Sequence, residues 1–172
     1  MVDTQQQQQM PGVRADMSDI VLCEGSGSTK PVLADACKQR IGNVADFNIS
    51  HDGGWVLAGV TGRGMIGVDV ARIHCPEGMA HSEYVGEFEM QVKQSPAILR
   101  DFYRIWTAKE AYVKALGTGI ADTDLATIDV CLAHNADGVD VQVDGKCAPL
   151  EFVSGTLDNC HVYCVAVTPG VT

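Results

Sequence analysis

Apolar and polar residues alternate along Phe47-Asn48-Ile49-Ser50-His51, break at Asp52-Gly53-Gly54, and resume as a mostly apolar run from Trp55 to Val60. Period-two alternation is the mark of a strand, and the Gly-rich break makes the two runs a hairpin with a longer loop. Gly62-Arg63-Gly64 is a second turn, after which Met65 to Val70 forms the next strand. Upstream, Ile20-Val21-Leu22-Cys23 is a short strand closed by Gly25-Ser26-Gly27-Ser28, with Lys30-Pro31 in the following loop. The period then changes. Leu99, Phe102, Tyr103, Trp106, Val113 and Leu116 recur at helical spacing between Pro96, which suits a first helical turn, and Gly117, which suits a C-terminal cap. A weaker helical pattern covers Ser82 to Lys93. Strand patterns return at Thr127 to Leu132, Val139 to Val143, Leu150 to Val153 and His161 to Val167. This order predicts an α+β domain, an antiparallel sheet with two long helices packed on it.

Composition narrows the picture only a little. The 172 residues suffice for one domain, expected over 19–172, behind a Gln-rich tail over 1–18 that has too little apolar surface to fold. A net charge of −10 argues against nucleic acid as a partner, because phosphate binding needs clustered Lys and Arg. Seven cysteines are scattered without a CxxC pair, which is expected of reduced, buried thiols in the cytoplasm. Cys160 and Cys164 fall an even number apart on one expected strand. No apolar run reaches transmembrane length and no secretory leader is evident, so neither a membrane nor export is expected.

Chemistry concentrates in two segments. Gly67-Val68-Asp69-Val70 is a strand expected to end on its acid. Within Ile105-Trp106-Thr107-Ala108-Lys109-Glu110-Ala111-Tyr112-Val113-Lys114, Glu110 and Lys114 stand four apart and leave one helix face. An acid from a strand, with an acid and a lysine from a helix, suits magnesium-assisted phosphoryl chemistry. Taken singly, each has an ordinary reading. Asp69 would be a surface residue at a strand end, Glu110 and Lys114 an exposed ion pair, and His51 the cap of a turn.

Together the pieces match a pattern. Gly67-Val68-Asp69 followed by Trp106-x-x-Lys109-Glu110-Ala111-x-x-Lys114 resembles the signature of the 4′-phosphopantetheinyl transferases. Lys30-Pro31 and Phe47-Asn48-Ile49-Ser50-His51 resemble the remaining motifs of the larger, surfactin-type branch. The resemblance implies an enzyme that moves 4′-phosphopantetheine from coenzyme A to a serine of an apo acyl or peptidyl carrier protein, releasing adenosine 3′,5′-bisphosphate. It implies Mg²⁺ held by Asp69 and Glu110, Lys114 beside the attacked phosphate, and Glu110 as the nearest acceptor for the serine proton. It also implies nucleotide contacts from Lys30, Ser50 and His51, the last on the 3′-phosphate. Lys93, Arg100 and Arg104 are the basic residues expected to meet the carrier. Carriers of fatty acid, polyketide and nonribosomal peptide assembly all fall within the family's range.

Two departures stand out. Many members carry a second acid two residues after the strand aspartate, where this chain has Ala71. The segment before Lys30 is also shorter than in that branch, so weak coenzyme A binding and self-association into a homodimer are expected. The alternative left open by that shortening is a truncated, weak or inactive paralogue that binds carrier protein or nucleotide.

Overall fold

The computed structural model of the chain describes residues 42, 44–75, 77, 80, 97–133 and 138–170. The strand expected at 20–23, the helix expected at 82–93, and Lys30 and Lys93 lie outside the described residues. The described residues form a set of antiparallel sheets with one long helix.

The elements are β1 (Asp46–Asp52), β2 (Trp55–Thr61), β3 (Ile66–Arg72), α1 (Ile98–Leu116), β4 (Ile128–Leu132), β5 (Val139–Val143), β6 (Lys146–Cys147), β7 (Glu151–Asp158) and β8 (His161–Val167). β1 pairs with β2, and β3, β8 and β7 form a three-stranded sheet in that order. β4, β5 and β6 form another. β3 is buried over its whole length except Arg72. Among the described residues no helix is long and apolar enough to cross a membrane.

Helix α1 carries small and apolar residues on the face it turns to the sheets. Ile105, Ala108, Ala111, Tyr112 and Val113 join Ile128, Val130, Val139, Val141, Cys164 and Ala166 in one core. Gly117 ends the helix in the left-handed conformation at φ 71°, its N–H donating to the carbonyls of Val113 and Lys114. The helix approaches β3 closely because residue 67 has no side chain. A Cβ there would collide with the backbone of Ala111 and Ala115. Residues 67, 69 and 71 share one face of the strand, so the contact at Gly67 also sets how far α1 stands from Asp69.

β3 is satisfied differently on its two edges. Along one, it pairs with β8 through the backbone, with Asp69 opposite Cys164 and Arg72 opposite His161. Along the other, side chains of β1 replace backbone carbonyls. Asp46 accepts from the N–H of Ile66 at 2.8 Å, Asn48 from Val68 at 3.0 Å, Ser50 from Val70 at 3.2 Å and Asp52 from Arg72 at 2.8 Å. The constant offset means that β1 runs parallel to β3 with every second side chain turned onto it. Leaving either of the two buried N–H groups, those of Val68 and Val70, unpaired would cost about 1–3 kcal/mol.

Several expectations need correction. The β1–β2 loop is short rather than long. Asp52 pairs with Trp55, and Gly53 and Gly54 close a two-residue turn at φ 54° and 89°, torsions that only glycine adopts readily. β7 runs on to Asp158, and β6 was not anticipated. Asp69 lies in the middle of β3, not at its end, because Val70, Ala71 and Arg72 continue the pairing with β8. Among the described residues the cysteines are mostly not buried. Cys131, Cys147 and Cys160 are exposed, Cys75 is half-buried, and Cys164 is buried, its thiol pushed up to about 12 first by burial and then by the charge of Asp69. Cys160 sits in the turn before β8 and shares no strand face with Cys164.

Candidate functional site

The face of β3 that carries Gly67 brings Asp69 under α1, and the helix lowers Lys114 and Glu110 onto it. Lys114 Nζ lies 2.6 Å from Asp69 Oδ1. The expected Glu110–Lys114 surface pair is therefore replaced by a Lys114–Asp69 pair between two elements. Asp69 is 5% exposed and Glu110 4%, so neither acid is a solvated surface group. Ser50, from β1, completes the cluster. Its hydroxyl donates to Asp69 Oδ1 at 2.8 Å and accepts from Lys114 Nζ at 3.2 Å.

Burial governs the electrostatics. It raises the pKa of Asp69, although the Lys114 charge and the hydrogen bonds from Lys114, Ser50 and Val70 all pull it down. It raises Glu110 to about 7, the negative charge of Asp69 adding to the effect and Lys114 opposing it. Glu110 Oε1 is buried and has no hydrogen-bond partner among the described residues. A buried acceptor without a donor is costly, and in native proteins it commonly marks a place for a ligand, ion or water. Two carboxylates, one with an orphaned oxygen, beside a lysine can receive a cation and an anionic group together.

The other expected residues are placed as follows. His51 is exposed near the end of β1, next to the Gly53-Gly54 turn. Arg100 is exposed and lies 3.8 Å from Asp101. Arg104 is not on a solvated helix face. It is 8% exposed and donates to the carbonyl of Gly138, so it belongs to the interior and not to a carrier-docking surface.

A second polar cluster was missed. At the far end of the β3–β8 pair, His161 Nδ1 lies 3.0 Å from Asp158, and Trp55 Nε1 donates to Asp158 at 3.1 Å. His161 also packs under Gly53, where a Cβ would strike its ring. This group fastens the β1–β2 turn, and with it His51, to the β7–β8 turn. Asp158 and His161, three apart across an expected strand start, were the available signal. The alternation at 46, 48, 50 and 52 was the signal for the β1–β3 ladder.

A family model described as the 4′-phosphopantetheinyl transferase superfamily matches residues 65–167, which include Asp69, Glu110 and Lys114. The phosphopantetheinyl transferase of Thraustochytrium is 31% identical over 142 residues, covering 70% of this chain and 48% of the relative. The 4′-phosphopantetheinyl transferase HetI of Nostoc is 32% identical over 144 residues, covering 80% and 56%. The 4′-phosphopantetheinyl transferase gsp of Aneurinibacillus migulanus is 32% identical over 77 residues, covering 43% and 32%. The chain thus spans between 32% and 56% of the length of these curated relatives.

Proposed function

Because the chain belongs to the 4′-phosphopantetheinyl transferase superfamily, we propose that it transfers 4′-phosphopantetheine from coenzyme A to a serine of an acyl or peptidyl carrier protein. The observation that carries this reading is the orphaned, buried Glu110 Oε1 beside the Asp69–Lys114 pair. It supplies an unsatisfied acceptor where both a cation and a reacting hydroxyl need one.

Magnesium suits this donor set. The ion takes one or two carboxylates and completes its sphere with phosphate oxygens and water. Asp69 and Glu110, the two carboxylates beside Lys114, would hold it with the pyrophosphate completing the set. When bound, the ion would neutralise charge on the pyrophosphate oxygens. Lys114, held in place by Asp69 and Ser50, contributes positive charge towards the leaving bisphosphate. Glu110 takes the proton of the carrier serine, directly or through water. The serine oxygen forms a bond to the β-phosphorus of coenzyme A as the bond from that phosphorus to adenosine 3′,5′-bisphosphate breaks. His51, exposed at the end of β1, meets the 3′-phosphate, and Lys30 adds a second positive contact. The exposed free thiols at Cys131, Cys147 and Cys160 support a reducing, cytoplasmic setting.

The test is carrier loading read by intact mass, with coenzyme A and Mg²⁺ supplied. Glu110→Gln keeps the shape of the side chain and removes both its charge and its basicity, so loading should fail while the protein stays folded. Unchanged loading in this variant would sink the assignment.

A further inference from the structure

His51 stands beside the tip of a hairpin, and a side chain there is held only as firmly as the turn next to it. We infer that Asp158 and His161 are positioning residues, which clamp the β1–β2 turn and so fix where His51 meets the 3′-phosphate of coenzyme A. This rests on the transferase reading above for the ligand, and on the packing of the turn for the role.

The β1–β2 hairpin is two-stranded, and such hairpins are marginal by themselves. The side-chain ladder to β3 secures its length, and the last rung is Asp52 accepting from the Arg72 N–H at 2.8 Å. Beyond that rung the chain turns at Gly53 and Gly54 and returns at Trp55. His51 and Asp52 are consecutive in a strand, so their side chains leave opposite faces. Asp52 faces β3, and His51 projects away from it, exposed.

The turn is gripped from the β7–β8 side. His161 is 6% exposed, and its Nδ1 lies 3.0 Å from both carboxylate oxygens of Asp158. Asp158 Oδ1 also accepts from the Cys160 N–H at 2.6 Å, and Oδ2 accepts at 3.1 Å from Nε1 of Trp55, the first residue of β2. The Ile73 N–H donates to the Cys160 carbonyl at 2.7 Å, so the β7–β8 turn is itself tied to the end of β3, the strand that carries Asp69.

His161 also holds the turn by shape. Its Nε2 is buried without a hydrogen-bond partner among the described residues, because it faces Gly53. A Cβ at 53 would collide with the ring, and φ there is 54°, so close approach and backbone torsion both call for glycine. A hydrogen bond through Trp55 and a contact through Gly53 thus converge on the Asp158–His161 pair. Neither member of the pair joins the hydrophobic core under α1. What they hold is the turn.

The consequence is a split between ligands. A contact carried on a loose support must be ordered as the ligand binds, which weakens binding. In His161→Leu the KM for coenzyme A should rise about 3- to 10-fold, a fraction of what losing a hydrogen bond to a charged group would cost. The KM for 3′-dephospho-coenzyme A should not move, and kcat should stay within about two-fold of wild type. Trp55→Phe, which removes one donor and keeps a ring, should show the same split more weakly. His161→Asn, whose amide N–H can stand where Nδ1 does, should restore most of the lost affinity. His51→Ala should abolish the preference for the 3′-phosphate, and adding His161→Leu to it should change nothing further. Equal rises in the two KM values, a fall in kcat alone, unchanged kinetics, or additive effects of the two substitutions would each overturn the inference.

A second readout needs no turnover. Amide hydrogen exchange at Asp52 and Trp55, the last pair of the hairpin, should quicken about 10-fold in folded His161→Leu, with the amides of α1 unchanged. Unchanged exchange at that pair overturns the positioning role, whatever the activity. If the exchange behaves as expected and the wild type loads no carrier, the transferase reading fails and the hold of Asp158 and His161 on the turn stands.

Discussion

Asp69 and Asp158 belong to the two outer strands of one three-stranded sheet, each is bonded to a basic side chain, and their acidities move in opposite directions. Asp69 is buried beneath α1, and desolvation raises its pKa in spite of Lys114 at 2.6 Å. Asp158 lies at the exposed turn before β8. The Cys160 N–H at 2.6 Å, followed by the His161 and Trp55 hydrogen bonds, lowers it to about 2. The difference teaches that the partner does not decide the chemistry of an acid here. Depth decides it. An exposed acid with good donors is satisfied and inert, and works as a fastener. A buried acid keeps a raised pKa even with donors at hand, and Glu110, buried beside Asp69 with Oε1 unpaired, is suited to binding a cation or taking a proton.

The largest expected effect separates the two acids by function. Asp69→Ala should lower carrier loading by at least about 100-fold, the scale seen when a charge-stabilising group is removed from an active site. Asp158→Asn should leave loading within a few-fold of wild type. Intact mass of the carrier over time measures both. Next in size is Lys114→Ala, where kcat should fall about 100-fold with a smaller change in KM for coenzyme A. A change confined to KM would make Lys114 an ordinary phosphate contact.

Gly67→Ala attacks the buried region and spares the exposed one. The added methyl meets the backbone of Ala111 and Ala115, neither of which is a flexible side chain. A loss of about 1–3 kcal/mol in stability is expected, together with weaker loading as α1 is pushed off Asp69. Urea denaturation, with loading assayed well below the midpoint, checks both.

The smallest effects lie in the pH dependence of stability, and they have opposite signs. Glu110, raised from 4.5 to about 7, keeps a proton in the folded chain that the unfolded chain has already released. Its contribution is therefore full below pH 4.5 and is lost as pH rises through about 7. Asp158, lowered from 3.8 to about 2, contributes above pH 3.8 and is lost as pH falls through about 2. Thermal melts in chelator should show Glu110→Gln flattening the upper limb and Asp158→Asn the lower one. Added Mg²⁺ should raise the melting temperature more at pH 8 than at pH 5, since a carboxylate must lose its proton to bind metal. That difference should be absent in Glu110→Gln.

The sequence made the two regions unequally legible. Asp69, Glu110 and Lys114 were found because helical spacing and a strand pattern are local signals, and the structure does bring the three together. What was hidden depends on contacts between distant segments. The polar positions of β1 alternate as on a solvent-facing strand, yet Asn48 and Ser50 are buried because β3 presents its N–H groups to them. Arg104 falls among helix positions that look exposed, until Gly138 meets it from the start of β5. Asp69 seemed to end its strand because an acid usually does, and the neighbours that bury it come from β1 and α1. Periodicity reports which face of an element is apolar. It does not report which polar face another element will cover.

The most direct test of the division between the two acids is one carrier-loading experiment on three proteins. Wild type, Asp69→Ala and Asp158→Asn are incubated with coenzyme A, Mg²⁺ and an apo carrier protein, and the carrier is weighed. Wild type and Asp158→Asn should add one phosphopantetheine per carrier, and Asp69→Ala should add none over the same period. Loading by Asp69→Ala at the wild-type rate, or no loading by the wild type, would contradict it.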